Sequence, residues 1–251
     1  HLGITGSDSR RLEASLEWIL RSLDNQGHTC LPVDQLIGRL DDLLQTDADD
    51  IANFIEGLLE QGALYSTYYE DILYIYPPEM YVSEVESVHY TKDFLLEADP
   101  ISLDIPSFIE KFEADNHITF GDAQKEAIQL SFFEKFSLIT GGPGTGKTTI
   151  IKALVKGFQL GGLGRIILCA PTGRAAKRLT EATEFEATTI HRLLVPVQGS
   201  DSYDFTKNED DPLDIDVIII DEASMLNVRL FYSLMACLLY TSPSPRDPKT
   251  S

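Results

Sequence analysis

Lys147, Thr148, Asp221 and Glu222 are the residues of this chain whose types and spacing promise chemistry. Lys147 and Thr148 close the string LITGGPGTGKTT at residues 138–149, where Gly141, Gly146, Lys147 and Thr148 fill the phosphate-loop pattern G-x-x-x-x-G-K-[ST]. Gly142, Pro143, Gly144, Thr145 and Thr149 complete a loop whose Cβ-less positions let backbone N–H groups turn toward an anion. The helix that follows adds its dipole and its unpaired donors. Lys147 would reach the β- and γ-phosphates of a nucleotide, and the Thr148 hydroxyl would ligate Mg²⁺. The second half of such a site is DVIIIDEASML at residues 216–226, in which the apolar β-branched run 217–220 reads as a buried strand with Asp221-Glu222 at its end. Asp221 would hold Mg²⁺, directly or through water, opposite Thr148, while Glu222 would orient and deprotonate the attacking water. The plainer readings are a glycine turn that binds nothing and a surface acidic pair. Neither explains a strand, loop and helix in the required order, nor an unbroken apolar run before the two carboxylates.

The elements that must position these groups are of α/β type. Residues 136–140 read as a buried strand, and residues 149–159 carry apolar side chains at helical spacing. ITFGDAQKEAIQLSF, residues 118–132, reads as a capped helix start just before that strand. Its Gln124 has the donor and acceptor to read an adenine edge, or is a surface glutamine. RIILCA at residues 165–170 is a second strand, running into PTGRAAKRL. Thr172, Gly173 and Arg174 therefore stand where a strand's carboxyl end meets a helix, the usual ligand edge of an α/β sheet. Arg174, Lys177 and Arg178 form the densest positive patch, to be weighed against a solvated helix face. In TTIHRLL, residues 188–194, His191 and Arg192 could touch a backbone phosphate, although a lone histidine beside an apolar run is more often structural.

The front of the chain differs. Leu12, Leu16, Ile19, Leu20 and Leu23 form an amphipathic stripe that Asn25-Gln26-Gly27 ends, and residues 36–44 and 51–59 repeat the helical pattern. Residues 64–68 and 72–76 read as a β-hairpin around Tyr69-Glu70-Asp71. Helices followed by a hairpin are the outline of a winged helix. Tyr65, Tyr68, Tyr69, Tyr74 and Tyr76 could stack on bases or fill the hairpin's packed face. Pro77-Pro78 closes the hairpin, residues 79–97 read as a helix, and 99–115 as a Pro-containing polar connection. The expected organisation is an accessory domain over 1–98, a linker over 99–117, and an α/β P-loop domain over 118–237. Residues 238–251, Ser/Pro-rich and abrupt, look like a non-native tail.

Composition narrows the function classes. The chain has 251 residues, a formal net charge of −20 and 43% hydrophobic content. Its first hundred residues hold 20 acidic and 5 basic side chains, the wrong sign for a surface that tracks phosphates. Any nucleic-acid contact must be local, and the acidic front suits a docking role toward a protein partner. No apolar run is long enough to span a membrane, no signal peptide is visible, and a start at His1 reads as a cut end. Cys30, Cys169 and Cys237 lack metal-ligand spacing, which fits a reducing, cytoplasmic setting.

GGPGTGKTT, APTGRAAKRL, TIHRLL and DEASML, in this order, resemble motifs I, Ia, the following segment and II of the RecD-like superfamily 1 DNA helicases. GHTCLPVDQLIGRL, a helix pair and a hairpin before a Glu-rich helix are similar to the accessory region of stand-alone members. The resemblance implies ATP–Mg²⁺ hydrolysis that drives 5′→3′ translocation on single-stranded DNA and opening of duplex ends. It implies that Gln124 contacts adenine, that residues 141–149 hold the phosphates, and that Lys147, Asp221 and Glu222 catalyse. Thr172, Arg174, His191 and Arg192 become candidates for the DNA-facing edge. The family continues into a further motif and a second RecA-like domain with catalytic arginines, which are not in this sequence. Two other functions stay open: a nucleotide-switched P-loop regulator and a non-enzymatic binding module.

Overall fold

The computed structural model describes residues 9–95, 101–142, 144–199 and 203–238. The chain forms two compact units, residues 1–86 with 227–229, and residues 87–226 with 230–251.

The first unit begins with α1 (Ser9–Asn25), then β1 (Leu31–Pro32), α2 (Val33–Leu44) and α3 (Ala48–Glu60). β2 (Tyr65–Tyr69) and β3 (Ile72–Tyr76) follow, and α4 (Pro78–Phe94) starts in this unit. The expected amphipathic stripe is the core: Leu12, Leu16, Ile19 and Leu23 pack with Leu36, Leu40, Ile51, Ile55 and Ile75. Asp47 caps α3 by accepting the Asp49 N–H at 2.9 Å, which explains where the polar break gives way to helix. The hairpin turns on Glu70 and Asp71, both at positive φ, the two-residue turn whose twist suits antiparallel strands. β1, too short to read from sequence, pairs with β3 and gives an antiparallel sheet of order β1-β3-β2.

The second unit holds α5 (Ile105–Asn116), α6 (Asp122–Phe133), α7 (Lys147–Leu160), β4 (Ile166–Ala170) and α8 (Gly173–Thr183). β5 (Ala187–Thr189), α9 (Ile190–Leu194), β6 (Val217–Ile220) and α10 (Val228–Ala236) complete it. Its sheet is parallel, of order β5-β4-β6, with Leu168 opposite both Ala187 and Ile219. α7 packs by two faces. Ile151 and Val155 meet Leu168 and Leu179, while Ile150, Ala153, Leu154 and Phe158 join a cluster with Val217 and Ile219.

Four expectations change. Residues 105–116, inside the stretch read as a linker, are the helix α5. Ile105, Phe108, Ile109 and Phe112 recur at helical spacing and are buried, and the Asp104 side chain caps the first turn. Residues 136–140, read as a buried strand, belong to neither sheet among the described residues, and Leu138 is 72% exposed. A strand is a property of a pair, and no described neighbour supplies the partner. For the same reason β6, read as buried, is only half-buried along its length: β4 covers one edge and no described strand covers the other. In the segment read as a tail, Leu238 is buried in the cluster around α10, and residues 239–251 lie outside the described residues.

Candidate nucleotide-binding site

The phosphate loop is built from the start of α7 backwards. Gly146 stands at the helix N-cap with φ of 80°, a left-handed conformation that glycine adopts without penalty. A Cβ there would also come within 2.6 Å of Gln124 Nε2, so any other side chain would require that amide to shift. The first helical hydrogen bond of α7 runs from Ile150 N–H to Gly146 C=O at 3.1 Å. The N–H groups of Lys147, Thr148 and Thr149 therefore have no intrahelical acceptor and are available to an anion.

Side chains close the loop on itself. Lys147 Nζ donates to the carbonyls of Gly141 at 2.6 Å and Gly142 at 2.8 Å, and Thr145 Oγ1 donates to Gly142 C=O at 2.9 Å. The ammonium is thus held within the loop by neutral acceptors, which charged phosphate oxygens would outcompete. Pro143 lies outside the described residues. Gly144 has φ of 75° and stands beside it.

Gln124 has a structural task that the sequence did not reveal. Its Oε1 accepts the Gly121 N–H at 2.8 Å, capping α6, while its Nε2 donates to Thr145 C=O at 2.8 Å. One amide thereby ties the start of α6 to the phosphate loop. One N–H and one acceptor lone pair of that amide remain unused.

Asp221 and Glu222 follow β6 at its carboxyl end, where ligands bind in open α/β sheets. The Asp221 N–H extends the ladder by donating to Cys169 C=O at 2.9 Å, so β4 fixes the backbone that carries its carboxylate. Glu222 then takes φ of 57° before the short 3₁₀ turn Ala223–Met225. Other residues at positive φ, such as Gln45, His117 and Glu184, end helices, where this conformation is routine. At Glu222 it aims an exposed carboxylate from the sheet edge. Thr148 and Asp221 offer hard oxygen donors, the kind Mg²⁺ takes, so the chemistry of the pair fits that ion. Among the described residues no three His, Cys, Asp or Glu side chains gather as a metal cage.

A residue the sequence reading passed over holds the two strands in register. Asp216 accepts the backbone N–H groups of Gly164 at 3.1 Å and Arg165 at 2.9 Å, and also pairs with the Arg165 guanidinium at 2.6 Å. The Arg165 guanidinium and these N–H groups hold the Asp216 carboxyl below its usual range. Arg165 also pairs with Asp214. The position one residue before an apolar strand was the available signal.

The residues expected at a nucleic-acid edge divide. Thr172 uses its hydroxyl to cap α8, accepting the Ala175 N–H at 3.2 Å. His191 is half-buried and packs edge-on to Phe205, with ring centroids 5.7 Å apart, the structural role of a histidine beside an apolar run. Arg174 and Arg192 are exposed. No helix among the described residues is long and apolar enough to cross a membrane.

Comparison with known proteins agrees with this architecture. The AAA domain family AAA_19 matches residues 124–243, which gives the second unit a P-loop NTPase fold. The ATP-dependent RecD2 DNA helicase of Deinococcus radiodurans is 45% identical over 101 residues, 40% of this chain and 13% of the relative. The RecBCD enzyme subunit RecD of Mycolicibacterium smegmatis is 35% identical over 136 residues, 45% of this chain and 24% of the relative. Its Haemophilus influenzae counterpart is 35% identical over 142 residues, 47% and 22% of the two chains. The chain thus spans about a quarter or less of the length of these relatives. Over its P-loop unit, then, the chain is similar to RecD-like helicases, in its motifs and in its match to an AAA domain.

Proposed function

We propose that this chain is part of an ATP-dependent DNA helicase that translocates 5′→3′ on single-stranded DNA from duplex ends. The observation that carries the reading is the placement of Asp221 and Glu222 at the carboxyl end of β6, the strand against which the phosphate-loop helix α7 packs. On this reading the free N–H groups of α7 and Lys147 bind the ATP phosphates, and Thr148 with Asp221 holds Mg²⁺. When bound, that ion neutralises charge on the β- and γ-phosphates. Glu222 takes the proton of the attacking water, and the unused N–H and lone pair of Gln124 read adenine. Arg174 and Arg192 are the remaining candidates for a DNA contact, since Thr172 and His191 are engaged within the fold. Arginines of a second RecA-like domain, worth about 10³–10⁵ in rate in related NTPases, would come from elsewhere in a protein of the relatives' length. The element order α1-β1-α2-α3-β2-β3 supports a winged-helix accessory domain in the first unit, and its acidity supports docking of a protein partner.

The test is nucleotide binding and hydrolysis by the full chain. Lys147→Ala should weaken Mg²⁺–ATP binding about tenfold or more, and Glu222→Gln should keep binding while hydrolysis falls about 10²-fold or more. Equal binding by wild type and Lys147→Ala would favour the non-enzymatic binding module. Nucleotide-dependent partner binding without any DNA stimulation of hydrolysis would favour the switched regulator.

A further inference from the structure

We propose that the free edge of β2 and the outer face of the β2–β3 hairpin form a docking site for an extended, arginine-bearing protein segment. This deepens the docking role proposed for the acidic unit and rests on it.

Strand register divides the hairpin into two faces. Ile75 is buried and Leu73 packs beside it in the unit's core, so Ser66, Tyr68, Leu73 and Ile75 share the core-side face, which is covered at Ile75 and open at Tyr68, 73% exposed. The opposite face is a ladder of three pairs, Tyr65 with Tyr76, Thr67 with Tyr74, and Tyr69 with Ile72. Only its first rung is covered: Tyr81 of α4 stacks on Tyr65 at 4.7 Å and meets Tyr76 edge-on at 5.6 Å. Beyond it Tyr69 is 63% exposed and Ile72 45% exposed.

β2 is also an open edge. Among the described residues it pairs with β3 alone, every residue of it is exposed, and YSTYY contains no Lys or Pro of the kind that blunts edges. An incoming strand would find unpaired backbone groups there. Its alternate side chains, about 6.8 Å apart, would fall beside Tyr65, Thr67 and Tyr69.

Charge selects the occupant. Residues 40–91 hold 12 Asp and Glu and not one Lys or Arg. Platforms that stack nucleic-acid bases pair their aromatics with cationic side chains, which residues 40–91 do not supply. A guanidinium, by contrast, stacks on tyrosine faces and is drawn by the surrounding carboxylates, among them Glu70 and Asp71 at the hairpin tip.

The experiment titrates the full chain into fluorescently labelled (Arg-Thr)₅, with (Lys-Thr)₅ and (dT)₁₅ as comparison probes. Wild type should bind the arginine peptide more tightly than the lysine peptide. Tyr69→Ser with Tyr74→Ser, which leaves the charge unchanged, should weaken it about tenfold. Thr67→Lys, a charge on the same edge, should do the same at an unchanged melting temperature. Arginine-peptide binding that ignores all three substitutions but falls with Glu70→Gln and Asp71→Asn would overturn the hairpin site while leaving acidic docking intact. Absence of binding by either peptide would overturn both, and tyrosine-dependent binding of (dT)₁₅ would replace the proposal with a nucleic-acid site.

Discussion

Three glycines inside helices, Gly38 in α2, Gly57 in α3 and Gly157 in α7, look alike in sequence but should respond to alanine with opposite signs. Alanine in a helix interior gains about 0.5–1 kcal/mol over glycine, mainly through chain entropy. At Gly38 and Gly57 a Cβ would meet nothing within 4 Å, so both substitutions should stabilise by about that amount. At Gly157 a Cβ would drive into Phe132 Cζ, with Phe132 Cε1 at 2.9 Å and Phe108 Cε1 at 3.1 Å. These rings cannot simply withdraw. Phe132 is wedged edge-on against Phe158 at 4.8 Å and against Phe108 at 6.0 Å, and all three are buried. Overpacking of this kind costs about 1–3 kcal/mol, which exceeds the helix gain. Gly157→Ala should therefore lose about 1–2 kcal/mol, or about 3–8 °C in the thermal transition of the P-loop unit. Far-UV circular dichroism of the full chain reads this, with Gly38→Ala and Gly57→Ala as controls. Phe132→Leu placed on Gly157→Ala should recover part of the loss, because it removes the ring atoms in conflict. Because α7 carries the phosphate loop, ATP binding should weaken alongside. Melting of Gly157→Ala at or above wild type would refute the reasoning, as would an equal loss at Gly38.

Four further outcomes follow from the same geometry. Gln124→Ala removes the bond that ties α6 to the phosphate loop at Thr145 and the α6 cap at Gly121, about 1–2 kcal/mol of local order, and should weaken Mg²⁺–ATP binding about five- to thirtyfold in a fluorescent-nucleotide titration. Asp216→Ala releases the start of β6 from Arg165; after allowance for solvent screening it should cost about 1–2 kcal/mol in urea unfolding. The Phe120 N–H, then Lys125, hold the Glu113 carboxyl below its usual 4.5. A lowered carboxyl adds stability above its unfolded value that is lost as pH falls through the folded one, so the melting difference between wild type and Glu113→Gln should be steady at neutral pH and shrink below about 4.5. Burial pushes the thiols of Cys169 and Cys237 up to about 12, so a thiol reagent at neutral pH should label them only after denaturation.

Much of the fold was legible because it depends on local chemistry. The phosphate loop needs glycine where the backbone turns left-handed at Gly146, and a lysine and hydroxyl just beyond, so its string alone marks the place. Leu12, Leu16, Ile19 and Leu23 declare a buried helix face by spacing. The hairpin at Glu70-Asp71, the strand at 217–220 and the carboxylates after it are likewise local readings. The stretch containing α5 was also readable, since Ile105, Phe108, Ile109 and Phe112 keep helical spacing, but Pro106 and the flanking acids masked it as a connection.

What the sequence left open are properties that belong to pairs of distant residues. Residues 136–140 have the composition of a strand, yet strand pairing requires a neighbour's hydrogen bonds, and only the tertiary structure shows that β4 takes β5 and β6 as partners. Gln124 became a strut because folding brings Thr145 to its amide across 21 residues of chain, and His191 became a packing residue because Phe205 lies against its ring. Asp216 acquired its role from Arg165, 51 residues earlier. Sequence determined which side chains this protein has for binding phosphate and activating water, since those demands are met within a few residues. Tertiary structure decided which groups hold them in place, because a hydrogen bond or a packed ring depends on distance in space and not on separation along the chain.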